Sequence, residues 1–358
     1  MSSENRLWAG SIGFGATLLL TQTISVAQNS LQIANPVRET VLNRQIARPK
    51  SSISQAAVLK ADEYFRSAVD KYKNEDYPGS LADYNRAIKL NPNNADAYYN
   101  RGLLKEDKLQ DYQGGLADYN QAVKLNPNDA DIYTNRGLLK KNRFQDYQGS
   151  LADYDRAIQI TPKDAEVYNN RGVLKAYNLQ DIPGGLADYN LALQLDPKYA
   201  NAYYNRGLLK ESKLQDYQGG LADYNQAIQF NPKYANAYYN RGLLKESKLQ
   251  DIQGGLMDYD MAIQFNPGDA NAYYNRGLLK EDKLQDYQGG LTDYNRTIEI
   301  DPTYAYAYNN RGLLKHDRLN DLVGGIADLK QAVKLFKKQG NTEFYRTATA
   351  TLKSWQNK

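Results

Sequence analysis

NAYYNRGLLKESKLQD occupies residues 201–216 and returns letter for letter at 236–251, 35 residues on. A near copy ending in EDKLQD follows at 271–286. A catalytic centre needs a few residues placed once. Verbatim repetition is what a stack of like units requires, because each unit then meets the same surface on its neighbour.

The tripeptide Asn-Arg-Gly sets the period: its glycine stands at 102, 137, 172, 207, 242, 277 and 312. Between these marks an Asx-Pro or Thr-Pro step recurs, with proline at 92, 127, 162, 197, 232, 267 and 302. Proline has no N–H and restricts its predecessor, so it punctuates helices. In the unit 95–127 the spacing predicts helix A over 95–108 and helix B over 112–125, with Asp111 capping the second. Leu116, Tyr119, Ala122 and Val123 share one face of helix B. Helix A offers Tyr98, Gly102 and Leu103-Leu104, with Leu109 just beyond. Helices this short do not hold alone, so each must bury its stripe on a neighbour. Gly102 and Gly115 recur in nearly every unit, with Ala68, Ser80 and Ser150 at equivalent places. Glycine inside a helix costs about 1 kcal/mol relative to alanine, so its regular use marks close helix approach.

Tyr98, Gly102, Asp111-Tyr112, Gly115, Tyr119, Ala122 and Pro127 together resemble the tetratricopeptide repeat, an aromatic–Gly–aromatic–small–aromatic–Ala–Pro pattern. The resemblance covers residues 57–340 as eight units. It implies an all-α fold, an α-solenoid in which antiparallel helix pairs wind into a right-handed superhelix. Two departures stand out. The unit has 35 residues rather than 34, the extra one near Glu106-Asp107, which predicts a bulge or longer turn where helix A ends; the first unit lacks it. Arg101 and Lys105 also occupy places where the family carries larger apolar side chains. At the C-terminus Leu329 replaces the helix B tyrosine and no proline follows. Gly340 ends the helix, and Asn341 opens a capping helix to about Trp355 within 341–358.

The N-terminal stretch reads differently. Ala9 to Ala27 is uncharged and closes with Ser25-Val26-Ala27, the small residues a signal peptidase favours. Residues 1–27 are therefore expected to be an export signal or, uncleaved, a membrane anchor, which would make the chain periplasmic, lumenal, secreted or membrane-tethered. Residues 28–56, with Pro36 and Pro49 and no sustained period, read as a linker. Membrane contact is expected through that N-terminus alone.

Composition narrows the chemistry. The net charge is +4, and acids and bases mix closely within the repeats, so no basic stripe suited to nucleic acid stands out. The chain has no cysteine, which removes disulfides, thiolate metal sites and a cysteine nucleophile. Its single histidine, His316, builds no zinc site by itself. Tyrosine is abundant, 31 residues against 7 phenylalanines, and recurs at fixed places in the repeat.

The resemblance also implies that A helices line the concave side. The partner-facing row there is Asn100, Asn135, Asn170, Asn205, Asn240, Asn275 and Asn310, flanked by Tyr99, Tyr204, Tyr239 and Tyr274. Asparagine both donates and accepts, so a ladder of them suits an extended peptide backbone. The competing reading makes the same asparagines part of the repeat's own template and the tyrosines inter-repeat packing. Asp96, Asp131 and Glu166 give way to Asn201, Asn236 and Asn271 one turn earlier, which makes one end of the groove acidic or simply suits the helix dipole.

The functional expectation is a non-catalytic scaffold for a protein or peptide ligand, without cofactor or metal. The alternative is an RNA-binding helical repeat, since another 35-residue helical unit reads single-stranded RNA one base at a time. The Asx-Pro ending and the absence of a basic base-reading row favour the first. Asn295-Arg296-Thr297 matches a glycosylation sequon but falls inside a predicted helix B.

Overall fold

The computed structural model describes residues 54–356. The signal or anchor expected at 1–27, and the linker up to residue 53, lie outside the described residues. The described chain is helical, with no strand among its described residues. The chain divides into two compact units between Pro197 and Lys198.

The first unit holds four hairpins: α1 (Gln55–Lys73) with α2 (Tyr77–Leu90), α3 (Ala95–Asp107) with α4 (Tyr112–Leu125), α5 (Ala130–Leu139) with α6 (Tyr147–Ile160), and α7 (Ala165–Val173) with α8 (Ile182–Leu195). The second holds four more: α9 (Ala200–Leu214) with α10 (Tyr217–Phe230), α11 (Ala235–Ser247) with α12 (Ile252–Phe265), α13 (Ala270–Asp282) with α14 (Tyr287–Ile300), and α15 (Ala305–Asp317) with α16 (Leu322–Lys338). It closes with α17 (Thr342–Gln356). Within each unit every hairpin packs on the next in sequence, the arrangement of an α-solenoid.

The local causes repeat with the sequence. Every B helix opens on an aspartate; Asp111 accepts from the Gly114 N–H at 2.9 Å, and Asp216 from Gly219 at 2.9 Å. Ser54 caps α1, accepting from Ala57 N–H at 3.2 Å, so residues 55 and 56 belong to the fold rather than to the expected linker. In the first seven hairpins the B-helix tyrosine (Tyr84, Tyr119, Tyr154, Tyr189, Tyr224, Tyr259 or Tyr294) is buried, and in the eighth Leu329 takes its place. The tyrosine lies against the A-helix glycine: a Cβ added to Gly102 would stand 2.8 Å from the Tyr119 ring. The B-helix glycine meets the A-helix backbone, and a Cβ on Gly220 would lie 3.2 Å from the Gly207 carbonyl oxygen. These are the close approaches that the two recurrent glycines permit.

The A helices end as the extra residue predicts. The Leu109 N–H reaches back to the Leu104 carbonyl at 3.2 Å and the Asp111 N–H to Lys105 at 2.8 Å, across Gln110 at φ 54°. In the third and fourth hairpins the widened turn becomes a full π turn, Lys140–Phe144 and Leu174–Asn178. The first hairpin, one residue shorter here, closes with Asp76 N–H on the Lys71 carbonyl at 2.9 Å, five residues back instead of six.

At the other end α17 covers the last hairpin. Phe344 packs on Tyr306 and Phe336 with ring centroids 4.9 and 5.4 Å apart, Ala348 is buried, and Trp355 stacks on His316 at 3.7 Å. His316 is thus half-covered by the cap rather than open on the surface, with its Nδ1 2.6 Å from Asp317.

Candidate functional site

The row expected to face a partner is largely an internal seam. Asn135 donates to the Tyr99 hydroxyl at 2.5 Å, Asn240 to Tyr204 at 2.7 Å, Asn275 to Tyr239 at 2.7 Å and Asn310 to Tyr274 at 3.0 Å. Each bond joins the A helix of one hairpin to that of the preceding one. Tyr99, Tyr204, Tyr239 and Tyr274 are buried against the B tyrosines, with Tyr204 and Tyr224 rings 6.0 Å apart. Their expected exposure is therefore corrected: a phenol whose hydroxyl meets the next asparagine gains both apolar burial and a satisfied polar end inside the stack. Asn100, Asn205, Asn240 and Asn275 are buried as well, and Asn100 donates to the Asp96 carbonyl at 2.8 Å. Asn135, Asn170 and Asn310 remain half-buried. The structure favours the template reading for the buried members of the row.

The two departures from the family pattern build a second device. Arg101 makes a two-pronged contact with Asp118, Nε at 2.9 Å and Nη2 at 2.6 Å, and Lys105 adds Nζ at 2.9 Å. Nη1 of the same arginine donates to Asn85 on the preceding hairpin at 2.7 Å, and its guanidinium lies over the Tyr98 ring at 5.4 Å. Asp153, Asp188, Asp223, Asp258, Asp293 and Asp328 repeat the clamp, each buried. A carboxylate in this position is stable only because two cations and a fork-shaped contact replace its hydration. The signal was present in the sequence: an Asp 17 residues after every Asn-Arg-Gly arginine, with a lysine between.

A third device separates the hairpins into classes. Glu106, Glu211, Glu246 and Glu281 each accept from the B tyrosine of their own hairpin, at 2.8, 2.6, 2.7 and 2.7 Å. Burial drives all four carboxyls upward, Glu106, Glu211 and Glu281 to about 7. In the third hairpin the position is Lys141, buried, whose amine burial pulls down to about 8. In the fourth it is Ala176, also buried. The third and fourth hairpins thus have no carboxylate for their B tyrosine: the Tyr154 hydroxyl is answered by Ser150, and the Tyr189 hydroxyl finds no hydrogen-bond partner.

The remaining A-helix surface is mixed. Asp96, Asp131 and Glu166 in the first turns are half-buried, as are Asn201, Asn236 and Asn271. Leu103, Leu138, Leu278 and Leu313 are half-buried one turn past the asparagine row. Among the described residues no group of three or more His, Cys, Asp or Glu side chains is placed to hold a metal ion, and no helix is long and apolar enough to cross a membrane. In the sequon Thr297 is fully buried, its hydroxyl on the Asp293 carbonyl at 2.9 Å, and Asn295 is half-buried and accepts from Arg311 Nη1 at 2.7 Å.

The family profile described as TPR repeat matches residues 70–108, 108–142, 145–178 and 211–248. No curated protein matches the chain. The fold is similar to the crystal structure of a tetratricopeptide repeat protein from Parabacteroides merdae, at TM-score 0.56 and 18% identity over 72% of this chain and 99% of that one. It is also similar to PilW, described as a type IV pilus biogenesis factor, at TM-score 0.52 and 18% identity over 60% of this chain and 94% of that one. A third likeness is pilF of Pseudomonas aeruginosa, at TM-score 0.51 and 14% identity over 60% and 96%. At these identities the likeness speaks to the fold. With glycine-to-tyrosine packing and Asx-Pro punctuation in agreement with that profile, residues 70–142, 145–178 and 211–248 carry tetratricopeptide repeats, and the described fold is an α-solenoid of the same kind.

Proposed function

We propose that the chain is a non-catalytic scaffold whose A helices bind an extended protein segment, one hairpin after another. The observation that carries this is a half-buried polar residue in the first turn of each A helix from α3 to α13, joined on some A helices by a half-buried asparagine or leucine. These are the polar first-turn residues (Asp96, Asp131, Glu166, Asn201, Asn236 and Asn271), the half-buried asparagines 135, 170 and 310, and the half-buried leucines at 103, 138, 278 and 313. Such groups offer hydrogen bonds and apolar contact, and modest contacts summed along the hairpins of a unit bind without any one strong site. The buried tyrosines serve the partner indirectly by fixing the spacing between A helices. Basic side chains lend no support to RNA as the ligand, because the Asn-Arg-Gly arginines and the lysines four residues after them are tied to buried aspartates.

The test selects peptides from a random library on the full chain and measures their affinity for surface variants. Leu138→Arg and Asn170→Arg are expected to weaken the selected peptide at least 10-fold. Ala152→Arg, on the exposed face of α6, is expected to leave it unchanged. Equal loss from both faces would refute the A-helix assignment.

A further inference from the structure

The two units differ in charge at one place on their A helices. Asp96, Asp131 and Glu166 stand six residues before the Asn-Arg-Gly glycine, and Asp62 stands six before Ala68, the glycine's counterpart on α1. Every A helix of the first unit therefore carries an acid there, whereas the second unit has Asn201, Asn236, Asn271 and Tyr306. The helix dipole acts alike on all eight A helices, so it does not account for acids on four and none on the others. All four acids are half-buried, one to a helix, and the half-buried Leu103 and Leu138 lie farther along α3 and α5. Asp62 Oδ1 is buried without a hydrogen-bond partner, which calls for a physical account.

The same chain holds a complement to this face. Residues 38–50, RETVLNRQIARPK, lie outside the described residues and carry Arg38, Arg44, Arg48 and Lys50 against one acid, Glu39. Val41, Leu42 and Ile46 stand between the charges. The segment leads into Ser54, the N-cap of α1. Asp62 is eight residues past Ser54, about 12 Å along the helix. Lys50 is four residues before it, about 13 Å of extended chain, so Lys50 can just reach Asp62. Packed helices lie about 8–10 Å apart, which puts α7 about 24–30 Å across the face from α1. The 12 residues from Lys50 back to Arg38 span about 40 Å when extended, enough to cross all four A helices.

We propose that residues 38–50 lie across the A-helix face of the first unit, with their basic side chains on its acidic row, and compete there with an external partner. Each surface ion pair is weak in water, and the tether supplies what the pairs lack: a short linker holds the segment near the face at a local concentration on the order of millimolar. This rests on the scaffold reading above and names the first occupant of its binding face.

Fluorescence polarisation on the full chain tests it, with a labelled synthetic peptide of residues 37–51 as the probe. In a segment variant Arg38, Arg44, Arg48 and Lys50 are all changed to Glu, which leaves the repeats untouched. The probe is expected to bind this variant at least 10-fold more tightly than the unaltered chain, whose own segment occupies the face. Adding Asp96→Asn, Asp131→Asn and Glu166→Asn to the segment variant is expected to weaken the probe at least 10-fold with the fold kept, because the second unit already carries asparagine at those places. Equal affinity for the unaltered chain and the segment variant would overturn the proposal, as would binding indifferent to the three asparagines. Self-association of the unaltered chain in light scattering, abolished in the segment variant, would assign the segment to a second copy and overturn the intrachain contact. Any of these results, with library-selected peptides still sensitive to Leu138→Arg, would leave the scaffold reading standing.

Discussion

Hairpins α11–α12 and α5–α6 have nearly the same backbone and opposite interiors. In the first, Glu246 accepts from Tyr259 at 2.7 Å and the A helix runs on as an α-helix to Ser247. In the second, Lys141 stands in place of the glutamate, Tyr154 meets Ser150 instead of a carboxylate, and the A helix widens into a π turn over Lys140–Phe144. Both keep the aspartate clamp, with Arg241 on Asp258 and Arg136 on Asp153 at 2.6 and 2.5 Å. The repeat therefore has one obligatory polar device and one optional one. Helix pairing depends on the clamp, which recurs without exception from the second hairpin on. The glutamate closure adds to a hairpin that is already held.

If that division is right, removing the clamp is the costliest change in either class. Asp258→Ala and Asp153→Ala each leave two cations beside a hole, and breaking a buried pair in this way costs about 3–5 kcal/mol. Urea unfolding should show losses of this size, equal in the two hairpins. A large inequality would mean that the π turn has shifted weight from one device to the other.

Glycine separates the classes next. At Gly185 an added Cβ would stand 2.7 Å from the Ala176 Cβ and 2.9 Å from the Gly172 carbonyl oxygen. At Gly220 the nearest approaches are 3.2 and 3.4 Å, and the third hairpin already carries Ser150 at the equivalent place. Gly185→Ala should therefore cost about 1–3 kcal/mol as overpacking, whereas Gly220→Ala should be close to neutral because better helix propensity offsets the contact. Gly220→Leu, with no room beyond the Cβ, should lower the melting temperature by several degrees. An unchanged melt would refute close packing there.

Much of this was legible in the residues, and what was not had physical reasons. Helix B of the second hairpin runs over 112–125 as its Asp cap and following Asn-Pro predict, and the widened A-helix exit follows from counting one residue too many. Within helix A, Arg101 and Lys105 read as misfits, because their partner Asp118 lies on another helix; only the constant spacing of 17 residues from arginine to aspartate points to the pairing. The tyrosine row misled for a related reason. Tyr99 meets Asn135 in the next hairpin, 36 residues on, so its burial depends on how closely A helices stack, which periodicity within one helix does not report. A clue existed: an asparagine stands 36 residues after each of Tyr99, Tyr204, Tyr239 and Tyr274.

Proton linkage gives a smaller and more diagnostic contrast. Burial holds Glu106, Glu211 and Glu281 protonated up to about 7, while in the unfolded chain they ionise near the ordinary 4.5. A raised carboxyl stabilises fully below its unfolded value, and that contribution is lost as pH climbs through 7. Each is worth on the order of 1–3 kcal/mol between pH 5 and 8. Lys141 has the opposite sign: with its folded value near 8 against 10.5, the third hairpin gains stability as pH rises through that interval. Amide hydrogen exchange at pH 5.5 and 8, corrected for intrinsic rates, should show α13 and α14 opening more readily at the higher pH. Glu281→Gln should abolish that change, and α5 and α6 should show none of this origin. Uniform pH dependence across all hairpins would contradict the two-class description.

The smallest expected effect probes what the two classes share. Gln110, Gln145, Gln180, Gln215, Gln250 and Gln285 all sit at φ between 53° and 58°, in the left-handed region. Gln145 follows a π turn and Gln215 follows an uninterrupted α-helix, yet both have φ 53°. An L side chain there costs about 1–2 kcal/mol, which glycine avoids, while glycine's freer unfolded chain returns part of the gain. Gln145→Gly and Gln215→Gly should each stabilise the fold by about 0.5–1 kcal/mol, and by the same amount. Equality would show that the exit turn is common ground and that the π turn stores no strain in it. A gain confined to Gln145→Gly would locate strain in the widened helix end, and would tie the missing glutamate to backbone geometry as well as to hydrogen bonding.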